Sequence, residues 1–287
     1  MGSGVKHDAT YRARPDWPFH LGLVLLGGVY VVLVAALLLA NLDYLRTGSA
    51  EAEGANPFLA ALQNEAIQYA IRLSLIASTI STLLSLWVAV PLGYLLSRYQ
   101  FRGKRALDAL IDIPIVLPPL VLGLSLLILF RSAPGIWVED TFAAITGSRI
   151  TYAVPGVILA QFMVACAFAV RTMRATFDEI SPRGEQVAMT LGCSRGQAFW
   201  KVTLPEARRG LLVAATLAWA RSLGEFGPIL VFAGATRFKT EVMPTTVFLQ
   251  MSVGDVEGAV AVSMLMIGAA VAVLVLVRMF GQERFVR

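Results

Sequence analysis

Residues 67–97 read IQYAIRLSLIASTISTLLSLWVAVPLGYLLS, an apolar run in which Arg72 is the one charged residue. A transmembrane helix needs about 20 consecutive apolar residues, so this run is long enough to cross a bilayer and to project beyond it. Lipid offers no partners for backbone N–H and C=O groups, so a segment of this kind must satisfy them internally. The run therefore predicts a membrane-spanning helix.

Similar apolar runs follow along the rest of the chain. They lie at 20–40, 110–131, 153–176, 210–234 and 258–279. Of the 287 residues, 57% are hydrophobic and 15% are charged, whereas a soluble domain carries about 25% charged residues. We predict an all-α integral membrane protein with about six transmembrane helices.

The runs divide the chain into four parts. We expect an N-terminal tail at 1–19, a first transmembrane helix with an outer loop at 20–61, a core of five transmembrane helices at 62–279 and a tail at 280–287. The run at 20–40 is longer than the apolar core of a signal peptide, which has about 7–15 residues, so we expect it to be retained. Prolines interrupt the third run, which is tolerable where neighbouring protein satisfies the freed carbonyls. They are Pro114, Pro118 and Pro119.

The basic residues predict the orientation, because cytoplasmic loops retain Lys and Arg. With both termini cytoplasmic, the inside segments hold 17 of the 24 Lys and Arg residues, the outside segments hold five, and Arg72 and Arg221 lie within apolar runs. We therefore predict a multi-pass protein of a bacterial or archaeal inner membrane. The same distribution accounts for the net charge of +5. A nucleic-acid-binding surface would need an aqueous basic domain, and the chain has none of useful size.

The sequence offers little material for catalysis. The two histidines, His7 and His20, lie near the N-terminus, and Cys166 and Cys193 lie in an apolar run and a polar connector. These residues form neither a metal-ligand pattern nor a catalytic constellation. The Gly-x4-Gly-Lys-Ser/Thr loop that binds ATP phosphates is also lacking. We expect no catalytic residue, metal or cofactor in this chain.

Four serines recur at helical spacing within the run 67–97, which places them on one helix face. They are Ser74, Ser78, Ser81 and Ser85. Small hydroxylated residues let membrane helices approach closely, so the stripe predicts a seam between helices. A polar pore lining is the alternative interpretation.

Arg221 and Glu225 lie four residues apart in the run 210–234, and therefore on one helix face. A charged side chain at the bilayer centre costs about 2.5–3.5 kcal/mol on insertion scales, so each of these residues needs a partner. We expect them to form a structural ion pair. A role for Glu225 in the gate or the translocation path is the alternative.

The polar interval at 177–210, between the fourth and fifth runs, begins with signals for a short helix. Ser181 is an N-cap residue, and it precedes a proline that can occupy the first helical position. Gly192 can end this helix in the left-handed conformation. We call residues 177–210 the connector, and the topology places it on the cytoplasmic side.

A second short helix follows in the connector. Ser194 and Gln197 have the spacing of a capping box, and Pro205 ends the helix or links it to the fifth span. The result is a cytoplasmic helix-turn-helix. Such an element either rests on lipid headgroups or docks into a groove of a partner.

The connector also resembles a known signature. Glu185-Gln-Val-Ala-Met-Thr-Leu-Gly192, nine residues and Val202-Thr-Leu204-Pro205 resemble the EAA motif of binding-protein-dependent ABC-importer permeases, Glu-Ala-Ala-x3-Gly-x9-Ile-x-Leu-Pro. Gln186 and Val187 stand where the motif has its Glu and first Ala. In that family the connector is the coupling helix, which sits in a cleft of the ATPase subunit. The resemblance implies docking and coupling roles for Glu185, Ala188, Gly192, Phe199, Leu204 and Pro205.

Two further stretches are similar to the molybdate, tungstate and sulfate branch of these permeases, namely IPIVLPPLVLG at 113–123 and ARSLGEFG at 220–227. The resemblance implies a permease subunit that imports an oxyanion by alternating access. The implied partners are an ATPase that binds ATP and Mg, a periplasmic or lipid-anchored solute-binding protein, and a second, identical permease. The alternatives are a permease for iron, polyamine or thiamine, and a secondary transporter, which would normally show inverted repeats.

Overall fold

The computed structural model describes residues 17–51 and 61–282, and the regular structure in these ranges is entirely helical. The predicted all-α class is confirmed. Residues 1–16, 52–60 and 283–287 lie outside the described residues. The predicted tails at 1–19 and 280–287 and the outer loop are therefore only partly covered.

The helices are numbered in chain order over these described ranges. They are α1 (Trp17–Glu51), α2 (Glu65–Arg98), α3 (Lys104–Val116), α4 (Pro119–Arg131), α5 (Ala133–Thr146), α6 (Val154–Glu179), α7 (Arg183–Thr190), α8 (Arg195–Ala198), α9 (Leu204–Glu206), α10 (Arg208–Leu223), α11 (Gly227–Phe232), α12 (Met243–Ser252) and α13 (Val256–Gln282). A π-helical turn, Phe199–Thr203, joins α8 to α9.

The long helices α2 and α6 form the centre of the bundle, and they meet through small side chains. Ala77 and Ala89 on α2 and Ala165 on α6 are fully buried. A Cβ atom added at Gly93 would lie 2.9 Å from the Cβ of Met173. Small residues let the two backbones approach closely, as is typical of packed membrane helices.

Four of the six predicted spans are continuous helices in the described residues. The segments long and apolar enough to cross a membrane are His20–Tyr44, Glu65–Arg98, Val154–Glu179 and Val256–Val275. They correspond to the predicted runs at 20–40, 67–97, 153–176 and 258–279. Hydropathy locates them well because each is one uninterrupted apolar helix.

The third and fifth predicted spans are interrupted. The third is the pair α3 and α4, bent by 114° at the prolines, and counting this pair as one span gives up to five candidate spans in the described residues. The prediction of one continuous helix at 210–234 was wrong. The helix α10 ends at Leu223 and α11 begins at Gly227. Pro228 cannot donate to the preceding turn and its ring clashes with that turn, so the helix breaks before it.

The two breaks lie against each other. A Cβ added at Gly123 would lie 2.8 Å from the Cα of Pro228, and one added at Gly227 would lie 2.8 Å from the Cβ of Pro119. The backbones of α4 and α11 are therefore in direct contact. Such packing covers the irregular backbone with protein, as a membrane interior requires.

Ion pairs fasten the other half of the bent pair, α3, to α6. Arg171 pairs with Asp112, and Arg174 pairs with Asp108. Arg174 also lies near Asp178, with 3.7 Å between Nε and Oδ2. Ion pairs with α6 thus position α3, the N-terminal half of the third span, whereas close backbone packing against α11 positions α4, its C-terminal half.

Candidate functional site

The first arm of the connector ends in a Schellman motif. Gly192 has a φ of +91°, its N–H donates to the carbonyl of Met189 at 3.0 Å, and the N–H of Cys193 donates to the carbonyl of Ala188 at 3.0 Å. These two bonds satisfy carbonyls at the end of α7 and turn the chain. The predicted left-handed end at Gly192 is present. The helix α7 begins one residue later than predicted, with Pro182 rather than Ser181 as its N-cap, and the Arg183 N–H donates to the Oγ of Ser181 at 3.4 Å.

The second arm begins with the predicted capping box, which is confirmed. The Ser194 N–H donates to the Oε1 of Gln197 at 2.9 Å, and the Gln197 N–H donates to the Oγ of Ser194 at 3.3 Å. The chain then widens into the π-helical turn and tightens again in α9, where Pro205 lies. The connector therefore leads into α10 through continuous helical backbone as far as Glu206.

Glu185 fastens the connector to the bundle. It accepts a hydrogen bond from the hydroxyl of Tyr94 at 2.8 Å and one from Nε of Arg98 at 3.1 Å. The terminal nitrogens of Arg98 donate to the carbonyls of Phe177 at 2.8 Å and Ile180 at 2.9 Å. One arginine thus joins the ends of α2 and α6 to the start of α7.

The charge of Glu185 is stabilised by these neighbours. Burial disfavours the charged carboxylate, but hydrogen bonds from surrounding side chains and the positive charge of Arg98 outweigh burial and lower the pKa of Glu185 below its usual value. The carboxylate is therefore ionised at neutral pH. The ion pair with Arg98 is largely shielded from solvent, with 12% of the Glu185 side chain exposed.

The first arm of the connector has an exposed apolar side. Leu191 is 81% exposed and Val187, four residues earlier, is 57% exposed. Large apolar side chains presented together at a surface are typical of an interaction site.

The predicted docking residues differ in how far they are buried. Glu185 is buried, and the Phe199 ring lies 4.7 Å from that of Tyr94, so these two hold the connector against α2. Gly192 and Pro205 are exposed, and Ala188 and Leu204 are half-buried.

Arg221 and Glu225 lie together at the end of α10. Nη1 of Arg221 is 2.8 Å from Oε2 of Glu225, and the Glu225 side chain is 1% exposed whereas that of Arg221 is 34% exposed. The guanidinium also lies 5.9 Å from the ring centroid of Phe168 on α6. The carboxylate of this ion pair is therefore fully buried, whereas the arginine is partly exposed.

The serine stripe is buried inside this single chain. Ser74, Ser78, Ser81 and Ser85 have no exposed surface. Ser81 donates to the carbonyl of Ile158 on α6 at 2.9 Å, and Ser74 accepts from the N–H of Met243 on α12 at 2.7 Å. The stripe contacts neighbouring helices, which is the arrangement that the packing interpretation requires.

A basic cleft of about 830 Å³ lies on the side that the topology predicts to be outside. Its charged side chains are Arg131, Arg149, Lys239 and Glu139. Glu139 accepts hydrogen bonds from Nε of Arg149 at 3.2 Å and from the Thr151 hydroxyl at 2.6 Å. Among the described residues, Arg131 and Lys239 make no ion pair, so the cleft keeps a net positive charge.

Unusual backbone angles also occur around this basic cleft. Tyr152, which lines it, has a φ of +55°, and Phe238, which precedes Lys239, has a φ of +58°. They are the two non-glycine residues with positive φ in the described ranges. Such conformations cost free energy and concentrate at functional sites.

Sequence reasoning missed the partners of Glu185 and the basic cleft. Tyr94 and Arg98 are 91 and 87 residues from Glu185 in the chain, and no local pattern connects them. Arg131, Arg149 and Lys239 are three of the five basic residues assigned to the outside segments, and the sequence did not indicate that they share a cleft. Glu185 has no Lys or Arg three or four residues away along the chain, and this was the available signal that it needs a distant partner.

Comparisons with known proteins agree with this geometry. Residues 89–287 match the family described as binding-protein-dependent transport system inner membrane component. The sulfate transport system permease protein CysT of Salmonella typhimurium is 32% identical over 279 residues, covering 97% of each chain. The molybdenum transport system permease protein ModB of Mycobacterium tuberculosis is 35% identical over 217 residues, covering 76% of this chain and 81% of that protein.

Solved structures share the fold. The chain aligns with a chain of a bacterial alginate ABC transporter in complex with its pentasaccharide-bound periplasmic protein, with a TM-score of 0.72, 18% identity and coverage of 93% and 94% of the two chains. It aligns with a chain of the MetNI methionine ABC transporter with a TM-score of 0.56, 19% identity and coverage of 77% and 98%. At these identities the likeness concerns the fold.

Proposed function

Since this chain belongs to the family of binding-protein-dependent transport system inner membrane components, and is thus a permease subunit of an ABC importer, we propose that it carries an oxyanion across the inner membrane. Molybdate and tungstate are the first candidates and sulfate is the next. The observation that carries this substrate class is the similarity, over most of the chain, to permeases for sulfate and for molybdenum.

The electrostatics of the basic cleft support an anionic substrate. Arg131 and Lys239 are cations without an ion-pair partner among the described residues, and Glu139 is already bonded to Arg149 and Thr151. A surface of one sign raises the local concentration of oppositely charged solutes and speeds their arrival. A cation importer would gain nothing from this arrangement.

In the proposed complex, a partner ATPase binds ATP and Mg and docks on the exposed side of the connector. A second permease, identical to this one, completes the path, and a solute-binding protein delivers the anion from outside. The motion of the ATPases reaches the bundle through Glu185 and Arg98, because these residues join the connector to α2 and α6. Alternating access then follows as a movement of packed helices. Both termini lie in the cytoplasm.

Uptake measurements test the substrate. Deletion of the gene should reduce accumulation of labelled molybdate or tungstate, or of sulfate, at low external concentration. Complementation with Arg131→Gln or Lys239→Gln should restore uptake less well, by up to about tenfold at limiting substrate, because the steering charge is lower. Arg237→Gln is the matched control, since Arg237 is an exposed cation that does not line the cleft. Unchanged uptake of all three anions together with reduced uptake of a cation, sugar or polyamine would refute the substrate class.

A further inference from the structure

An apolar groove of about 810 Å³ runs between α2 and the second arm of the connector. Its wall on α2 includes Leu83, Trp87, Val90 and Tyr94. These positions are three or four residues apart and share one helix face. Trp87 is 78% exposed and Leu83 is 62% exposed. The described part of the chain therefore leaves this lateral face open.

The length of the groove matches one leaflet of a bilayer. Its wall extends from Leu83 to Tyr99, which is about 24 Å at the 1.5 Å rise per residue of an α-helix. One leaflet, headgroups included, is about 20–22 Å thick. The Leu83 end lies within the predicted span and the Tyr99 end follows the cytoplasmic end of α2. The groove thus begins among lipid tails and opens at the headgroup level.

The aqueous end of the groove carries one positive charge. Arg195 is the one charged residue in the lining, and its guanidinium makes no hydrogen bond or ion pair within the described ranges. Trp200 also lines the groove and lies on the same arm of the connector as Arg195, and tryptophan is typical of the membrane interface. A guanidinium binds phosphate oxygens in a bidentate manner. The groove therefore offers an apolar wall for a chain and a cation for a phosphate.

From this combination we infer that the groove binds one anionic phospholipid of the cytoplasmic leaflet. The acyl chain lies along Leu83, Trp87 and Val90, and the headgroup phosphate contacts Arg195. A water-soluble ATPase cannot fill the Leu83 end, which lies in the hydrocarbon region. Free inorganic phosphate would use Arg195 but not the apolar wall.

The bound lipid contacts the anchor of the connector. The ring of Tyr94 lines the groove while its hydroxyl donates to Glu185 at 2.8 Å. Phe199 also lines the groove, and its ring lies 4.7 Å from that of Tyr94. An occupied groove therefore restricts the same side chains that position the connector, so the lipid stabilises the connector against α2.

Tryptophan quenching by brominated lipids tests this inference without any transport measurement. In a variant that keeps Trp200 and has phenylalanine at the other four tryptophans, the permease is reconstituted into phosphatidylcholine bilayers that contain brominated phosphatidylglycerol or brominated phosphatidylcholine. Half-maximal quenching should need about fivefold less of the anionic lipid, which is the preference expected from one arginine at the headgroup level. Added inorganic phosphate should not relieve the quenching.

Three substitutions complete the design. Arg195→Gln should abolish the preference for phosphatidylglycerol, whereas Arg183→Gln, an exposed arginine on the other arm that does not line the groove, should retain it. Gly196→Phe should reduce quenching by both lipids, because a side chain at 196 has free space and lies in the groove wall. Equal quenching by both lipids, or relief of the quenching by phosphate, would overturn the inference. No quenching in a folded chain would also overturn it, because protein would then fill the groove.

Discussion

The pair Arg221–Glu225 shows how unequal the two halves of an ion pair are. Glu225 is fully buried, whereas a third of the Arg221 side chain is exposed. Removing Arg221 leaves an uncompensated buried charge, which costs roughly 3–5 kcal/mol in comparable pairs. Removing Glu225 leaves an arginine that can still reach water, so the loss is smaller.

We therefore expect Arg221→Met to lower the melting temperature of the purified complex more than Glu225→Gln does. The double mutant should melt closer to wild type than Arg221→Met alone, and a double-mutant cycle measures this coupling. Strictly additive effects would show that the two side chains have separate partners. A double mutant that is as stable as wild type but transports nothing would assign the pair to the gate.

Glu185 gives the connector a predictable dependence on pH. Its pKa is lowered in the folded state, so the carboxylate stabilises the fold above its unfolded pKa of about 4.3, and this contribution is lost as the pH falls through the folded value. We expect Glu185→Gln to lower stability at neutral pH and to reduce the stability difference between neutral and acidic pH. Glu206→Gln, at an exposed acid of α9, should change neither quantity. Melting curves recorded from neutral to acidic pH measure both quantities. If Glu185→Gln and wild type had the same dependence of stability on pH, the stabilising role of the Glu185 carboxylate would be contradicted.

At the scale of elements, the turn between the two arms depends on Gly192. Its φ of +91° costs a residue with a side chain about 1–2 kcal/mol, and a β-branched residue more. Gly192→Val should insert into the membrane but lose substrate-stimulated ATP hydrolysis in the reconstituted complex. Gly192→Asn should retain part of the stimulation, because asparagine tolerates the left-handed conformation. Normal stimulation with valine would exclude the connector as the coupling element.

The sequence predicted some elements of the fold more accurately than others. The long spans such as α2 and α6 were predicted within a few residues, because hydropathy and helix length agree along each of them. The break at 224–226 was not predicted as a helix end, since apolar residues continue on both sides and hydropathy does not register backbone angles. The Schellman motif and the capping box were predictable from short motifs. The Tyr94–Glu185–Arg98 cluster was not, because its members meet only after α2 and α7 fold together.

For the whole molecule, the orientation rests on the distribution of basic residues, 17 inside against five outside. In a background without Cys166 and Cys193, Ser49→Cys should react with an impermeant thiol reagent added to intact cells. Ser181→Cys, in the connector, should react only after the membrane is opened. If only the connector cysteine were labelled in intact cells, the orientation would be the reverse of the predicted one.

The contact between the two helix breaks has a consequence for biosynthesis. The backbone near Pro119 is covered by Gly227 and Pro228, which the ribosome adds about 100 residues later. At a synthesis rate of about 5–20 residues per second, the bent pair α3 and α4 waits about 5–20 s for the segment that covers it. During this interval its unpaired carbonyls would face lipid at a high cost in free energy. We therefore expect residues 104–131 to stay beside the insertion machinery until α11 has emerged.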